Sequence, residues 1–185
     1  MRISGGSARG VRLRVPAGTR PAAERVRLAI FGSLGPRIDA ARVLDLYCGS
    51  GAYALEALSR GAERAVGVDS DARAIAAARA NAKAAGFEHA AAFVRRDVAG
   101  FVGAEARRRG PFAVVFCDPP YDDADAAVIL ARLHPALAGA ATVVVEGRWT
   151  PRGADEVAGY VLVADRRYGD TRVLTYRRME RRDSL

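Results

Sequence analysis

Two short segments of this chain carry residue types that could perform chemistry. The stretch Asp118-Pro119-Pro120-Tyr121 directly follows the apolar run Phe112 to Cys117. A carboxylate beside a proline-fixed backbone carbonyl offers two neighbouring acceptors, an arrangement suited to an exocyclic amine on a nucleobase. Such an amine is a weak nucleophile because its lone pair is delocalised into the ring. Accepting hydrogen bonds from both of its N–H groups favours a pyramidal nitrogen and frees the pair for methyl transfer. Tyr121 would stack on the base. The same residues also read as an ordinary proline-rich turn after a strand.

The second segment is Asp45-Leu46-Tyr47-Cys48-Gly49-Ser50-Gly51, which leads from an apolar run into a helix starting at Ala52. Glycines there let a ligand approach bare backbone, and the helix N-terminus offers free amides. Asp69 stands 69 − 51 = 18 residues beyond Gly51, at the end of the next apolar run, where a carboxylate is placed to hold ribose hydroxyls. Together these features indicate a nucleoside cofactor. The spacing lacks the third glycine of a pyrophosphate cradle. Asp45 would repel a phosphate and suits a cationic amino group, which favours S-adenosylmethionine over a nicotinamide dinucleotide. The competing reading is that Asp45 and Asp69 only cap helices.

Positioning these residues requires strands that end where the chemistry begins. From Arg42 onward, short apolar runs alternate with helical stretches: Val43 to Tyr47, Ala52 to Ser59, Ala65 to Val68, Ala72 to Ala85, Ala92 to Val94, Val98 to Arg109, Phe112 to Cys117, Ala124 to Leu137 and Thr142 to Val145. Runs that are apolar throughout imply strands buried on both faces, hence a mostly parallel sheet covered by helices. Tyr160 to Ala164 and Arg172 to Tyr176 flank the turn-like Arg167-Tyr168-Gly169-Asp170 and read as an antiparallel hairpin. The expected fold is α/β, a doubly wound, Rossmann-like, mostly parallel seven-stranded sheet with an antiparallel C-terminal hairpin. Residues 42–185 would form this domain. Residues 1–41, with a helix from about Ala22 to Leu34, would be a small basic extension.

The 185 residues are half hydrophobic, with a mean hydropathy of −0.02 and no long apolar run, which excludes a disordered chain and a membrane protein. No signal peptide is apparent and two cysteines make no disulfide framework, so the cytoplasm is the expected location. The net charge of +8 is unevenly spread. Residues 1–27 carry seven Arg against Glu24, and residues 166–185 carry seven Arg against Asp170, Glu180 and Asp183, leaving −2 between them. Guanidinium forks bind phosphates bidentately and stack on bases, so basic ends around a slightly acidic middle suit a nucleic acid. Arg2, Arg9, Arg12, Arg14, Arg20, Arg25 and Arg27 are expected to form the main RNA-binding surface, aided by Arg166, Arg167 and Arg172. A codon-driven, merely solvated arginine surface is the alternative. Asn81 and Lys83 read as the solvated end of a helix. His89, His134, Cys48 and Cys117 lack the paired spacing of a zinc site, and no metal is expected. The cysteines read as small buried thiols near the cofactor.

The chain resembles the RsmD-like family of S-adenosylmethionine-dependent methyltransferases, which modify guanine N2 in small-subunit 16S ribosomal RNA. The resemblance rests on Arg2-Ile3-Ser4-Gly5-Gly6 with Arg9-Gly10, Arg20-Pro21, Arg25-Val26-Arg27 with Phe31, Asp45 to Ala52, Leu55 to Ala62, Asp118 to Tyr121, Glu146, and Tyr168 to Thr171. Departures are Ala22 where the family usually has Thr, Glu24 for Asp, Tyr47-Cys48 for Phe-Ala and Tyr53 for Leu. By this resemblance Asp45, Gly49 and Gly51 contact the methionine part of the cofactor, Asp69 the ribose, and Asp97 with Val98 the adenine edge. Tyr47 and Ser70 join the same site. Asp97 also reads as a helix N-cap. The implied enzyme is a cytoplasmic monomer acting on 16S ribosomal RNA within a 30S particle or an assembly intermediate, with no membrane partner. An adenine-N6 or cytosine-N4 methyltransferase of DNA or RNA uses the same amine chemistry. A noncatalytic nucleic-acid-binding module is the reading from another class.

Overall fold

The computed structural model describes residues 1–16, 24–119, 126–148, 156–157 and 159–179. The uniformly apolar runs lie in the middle of one sheet. Strands β1 (Arg42–Leu46), β2 (Arg64–Asp69), β3 (Ala91–Arg95), β4 (Phe112–Cys117) and β5 (Leu137–Arg148) are parallel neighbours. A two-residue strand, β6 (Glu156–Val157), precedes β7 (Tyr160–Tyr168) and β8 (Thr171–Arg178), and all three are antiparallel to their neighbours. The order is β3-β2-β1-β4-β5-β8-β7-β6. The seven expected strands are therefore present, and β6 adds an eighth at the outer edge. The chain winds outward from β1 to β3 and then crosses back to β4, so its direction reverses between β1 and β4. At such a switch the loops leaving adjacent strands diverge and open a crevice at their carboxyl ends.

Side-chain alternation along each strand divides the core in two. Val43, Val114, Phe116 and Val144 face α1 (Glu24–Leu34), α2 (Ala52–Ser59) and α3 (Ala72–Ala84). Leu44, Leu46, Val115, Val143 and Val145 face α4 (Val98–Phe101), α5 (Ala104–Arg109) and α6 (Ala126–Leu133). The helix expected over Val98 to Arg109 is thus two short ones, because the chain turns extended at Val102 and Gly103 takes φ 150°, a conformation no helix contains. The helix expected to reach Leu137 stops at Leu133. A 3-10 turn over His134–Ala136 holds Pro135, and Leu137 is already extended and opens β5. Residues 22, 23, 124 and 125, which the expected helices included, lie outside the described residues.

Residues 1–16 do not project as an arm. Ile3 N–H donates to Val11 O at 3.0 Å and Gly10 N–H to Ile3 O at 2.9 Å, closing a tight loop in which Arg2 and Arg12 form a bridge. The loop docks on α2: Ser4 N–H and its hydroxyl donate to the Glu56 carboxylate at 2.8 and 2.6 Å, and Ala8 N–H donates to Ser59 Oγ at 2.9 Å. Ile3, Leu13, Val26, Ile30 and Phe31 are buried in the same core as Val43 and Leu55. Side chains of this size each stabilise by about 1.5–3 kcal/mol when buried, so the segment before β1 is part of the sheet's own packing.

Candidate active site

The register of the sheet assembles the candidate site. Leu46 pairs with Cys117 and Cys117 with Val145, so Tyr47, Asp118 and Glu146 stand level, the first two just past the ends of β1 and β4 and Glu146 within β5, which runs on to Arg148. One step below, Asp45 pairs with Phe116 and Phe116 with Val144, on the face covered by α1 and α2. Asp45 is almost fully buried, and its Oδ2 accepts the Ala54 amide at 3.0 Å in the first turn of α2. The helix-capping reading of Asp45 therefore holds in part. Burial, reinforced by the charges of Asp118, Asp69 and Glu146 and opposed by the Ala54 amide, pushes its pKa up to about 8. Such a gathering of partly or fully buried carboxylates at one rim of the sheet favours a cationic ligand. Among the described residues, no group of three or more His, Cys, Asp or Glu side chains is placed to hold a metal ion.

The loop after β1 is a series of left-handed turns: Tyr47, Gly49 and Gly51 have φ of 58°, 51° and 77°. A side chain on Gly51 would start 2.9 Å from the Phe93 ring and 3.2 Å from Ala78 Cβ, so this glycine is demanded by the packing of α2 against β3 and α3. Gly49 faces open space and presents bare backbone. Its amide donates to Asp69 Oδ2 at 2.9 Å, while Asp69 Oδ1 accepts from Asp71 N–H at 2.9 Å. Asp69 therefore braces the glycine loop and does not cap α3; Asp71 is that helix's N-cap. Ser70 is exposed beside it. Asp97 is the N-cap of α4, accepting the Gly100 amide at 2.9 Å, with its side chain exposed and Val98 buried behind it. Asp118 and Pro119 are half-buried at the end of β4; Pro120 and Tyr121 lie outside the described residues. Cys48 and Cys117 are buried thiols, and burial raises the pKa of both, that of Cys117 to about 12.

The arginines divide into two groups. Arg2, Arg9, Arg12, Arg14, Arg25, Arg166 and Arg167 are exposed, and Arg20 lies outside the described residues. Arg27 and Arg172, expected on the RNA-binding surface, are buried. Arg27 Nε lies 3.3 Å from Glu56 Oε2 and one terminal nitrogen donates to Arg2 O at 2.5 Å, because α1 lays this face on α2 and the N-terminal loop. Arg172 donates through Nε to Asp165 Oδ1 at 2.9 Å, across the β7–β8 pair. Asn81 also departs from expectation, being buried and not solvated. Its side chain exchanges hydrogen bonds with the Arg14 backbone at 2.8 and 2.9 Å and donates to Ser50 O at 2.9 Å, joining the basic N-terminal segment to the glycine loop. A further feature unassigned from sequence is the buried hydrogen bond from the Tyr53 hydroxyl to Glu146 Oε1. The visible signal for it was a carboxylate immediately after the apolar run Thr142 to Val145.

Residues 1–177 match the family model described as Conserved hypothetical protein 95. The chain belongs to this family. Among its curated relatives, the Bacillus subtilis protein named Putative rRNA methyltransferase YlbH is 34% identical over 182 residues, covering 96% of this chain and 99% of that one. The Escherichia coli protein named Ribosomal RNA small subunit methyltransferase D is 39% identical over 123 residues, 65% of this chain and 60% of that one. A solved structure, Putative methyltransferase yhhF from Escherichia coli, superposes with a TM-score of 0.85 at 32% identity, covering 98% of this chain and 99% of that one. The Rossmann-like methyltransferase fold expected from the strand pattern is the fold of this family. Among the described residues, no helix is long and apolar enough to cross a membrane.

Proposed function

We propose that this chain transfers a methyl group from S-adenosylmethionine to the exocyclic N2 amine of a guanine in small-subunit 16S ribosomal RNA. Full-length similarity to a relative named as an rRNA methyltransferase supports the broader activity. The observation that carries the reading is the placement of Asp118 and Pro119 level with the loop that follows Asp45, one strand away. An amine acceptor and a cationic-cofactor site then share one crevice. When bound, S-adenosylmethionine supplies an electrophilic methyl group on a sulfonium. Asp45 sets the negative potential for its cationic end, the bare backbone at Gly49 lets it approach, and the half-buried Asp69 receives ribose hydroxyls while bracing the loop. Asp97 and Val98 border the adenine.

Toward the substrate, the Asp118 carboxylate and the Pro119 carbonyl accept the two N2–H bonds and aim the nitrogen lone pair. No strong base is required, since the methylated amine is cationic and loses its proton readily. Exposed Arg2, Arg9, Arg12, Arg14 and Arg25, with Arg166 and Arg167 on the hairpin, take RNA phosphates. The chain acts as a monomer in the cytoplasm on ribosomal RNA within a 30S particle or an assembly intermediate. The test is transfer of labelled methyl to 30S particles from cells lacking the gene, followed by mapping of the modified base. Label on one guanine N2 is expected; label on adenine N6 or cytosine N4 would overturn the assignment.

A further inference from the structure

The proposed clamp accounts for the amine alone, and an amine clamp is shared by guanine, adenine and cytosine targets. Glu146 stands directly beside it. β4 and β5 are parallel neighbours with Cys117 paired to Val145, so Glu146 is level with Asp118 one strand across. Alternation places Glu146 on the same face as Val144, over α2, and it is buried there. The Tyr53 hydroxyl donates to its Oε1. Tyr53 is itself held rigidly: its ring stacks on Phe116 at 4.8 Å with 19° between planes, and on Phe31 at 6.2 Å. Tyr53 neighbours Ala54, whose amide donates to Asp45 Oδ2, so the pair stands beside Asp45 at the start of α2. A buried carboxylate fixed by a packed aromatic hydroxyl, within a central strand, is an expensive feature for mere packing.

We propose that Glu146 is the residue that selects guanine, accepting the N1–H of the target base while Asp118 and Pro119 hold its N2 amine, with Tyr53 as the positioning residue that orients the carboxylate. This rests on the reading of the chain as a guanine-N2 methyltransferase. The chemistry is that of the base edge. Guanine presents two adjacent donors, N1–H and N2–H, which two neighbouring carboxylates match. Adenine and cytosine place a ring nitrogen acceptor next to their amines, and a carboxylate facing that lone pair is repelled. A site built to accept a specific N–H rejects the analogue lacking it far more strongly than shape alone allows.

The test uses 16S ribosomal RNA joined from segments so that it carries either guanine or 2-aminopurine at the mapped position, assembled into 30S particles. 2-Aminopurine keeps the 2-amine and loses the N1–H. The unaltered enzyme should favour guanine in kcat/KM by about tenfold or more; equal use of the two bases overturns the proposal without any variant. Glu146→Gln, whose amide can donate to the bare N1 of 2-aminopurine, should shrink that preference by about tenfold, read at saturating S-adenosylmethionine so that any change in cofactor affinity stays out of the ratio. Tyr53→Phe keeps the aromatic stack and should lower kcat on guanine while KM for the particle holds. An unshifted base preference in a folded Glu146→Gln enzyme overturns the role of Glu146. If the unaltered enzyme labels no guanine N2, it is the underlying function that fails, and the two failures are thereby distinguished.

Discussion

The Gly49 amide donates to Asp69 Oδ2 at 2.9 Å, so the residue expected to hold the ribose also holds the loop that the cofactor must approach. The same carboxylate accepts the Asp71 amide at 2.9 Å through its other oxygen. In the proposed reading, loop shape and ligand recognition are coupled through this one side chain.

Asp69→Ala should weaken S-adenosylmethionine binding by more than the loss of a ribose contact alone. Hydrogen bonds to a charged group contribute about 1.5–3 kcal/mol, roughly a ten- to hundredfold change in affinity. Asp69→Asn, which keeps one acceptor oxygen, should fall between. Titration calorimetry on folded variants reads this directly, and an unchanged affinity in Asp69→Ala would remove Asp69 from the site.

The raised pKa of Asp45, about 8, makes two pH-dependent behaviours. Because the folded value lies above the ordinary 3.8, the ligand-free protein binds this proton more tightly than the unfolded chain does. Its contribution to stability is fully present below that ordinary value and is lost as pH rises toward about 8, at no more than about 1.4 kcal/mol per pH unit. A cationic ligand favours the ionised form, so cofactor binding should release a proton and tighten as pH climbs from 6 to 8. Calorimetry in two buffers of different ionisation enthalpy measures the released proton, and Asp45→Asn should abolish the release.

Asp118→Ala should reduce turnover by about a hundredfold to a thousandfold, the scale for losing one preorganised group in the transition state, while the variant still binds S-adenosylmethionine. Single-turnover methyl transfer separates the two. Near-normal transfer by this variant would place the amine clamp elsewhere.

The buried and exposed arginines should behave oppositely. Arg27→Ala leaves Glu56 buried with Arg60 and Ser4 as its partners among the described residues and should destabilise by about 3–5 kcal/mol, seen as a large fall in melting temperature. Burial pushes the Glu56 pKa up, yet the bonds from Ser4 and Arg60 and the charge of Arg27 hold it below the ordinary 4.5, so this contribution is present above that value and lost in acid. Arg9→Ala and Arg12→Ala, on the surface of the N-terminal loop, should change stability by about 0.5 kcal/mol or less. Each should flatten the log–log salt dependence of RNA binding by about 0.7 to 0.9. Unchanged salt slopes would leave these arginines as solvated surface. Point substitutions are the appropriate probes, since deleting residues 1–20 would remove Ile3 and Leu13 from the core.

What was legible in the amino-acid sequence alone is what short-range patterning controls. Uniform apolar runs announced buried parallel strands, the bounds of α2 at Ala52 and Ser59 followed from periodicity, and the carboxylates at strand ends marked the crevice, because a strand delivers its terminal residue to one rim of the sheet. Features that depend on partners distant in the chain were decided only by the tertiary structure. Arg27 is indistinguishable in sequence from Arg25, yet one turns toward Glu56, 29 positions away, and is buried, while the other meets solvent. Asn81 looked like a solvated helix end until packing brought Arg14 and Ser50 to its amide. Glu146 and Tyr53, 93 positions apart, meet only when β5 and α2 are laid against each other. A polar side chain's local sequence carries no record of which distant group will replace its water, and that exchange is settled by how helices dock on the sheet.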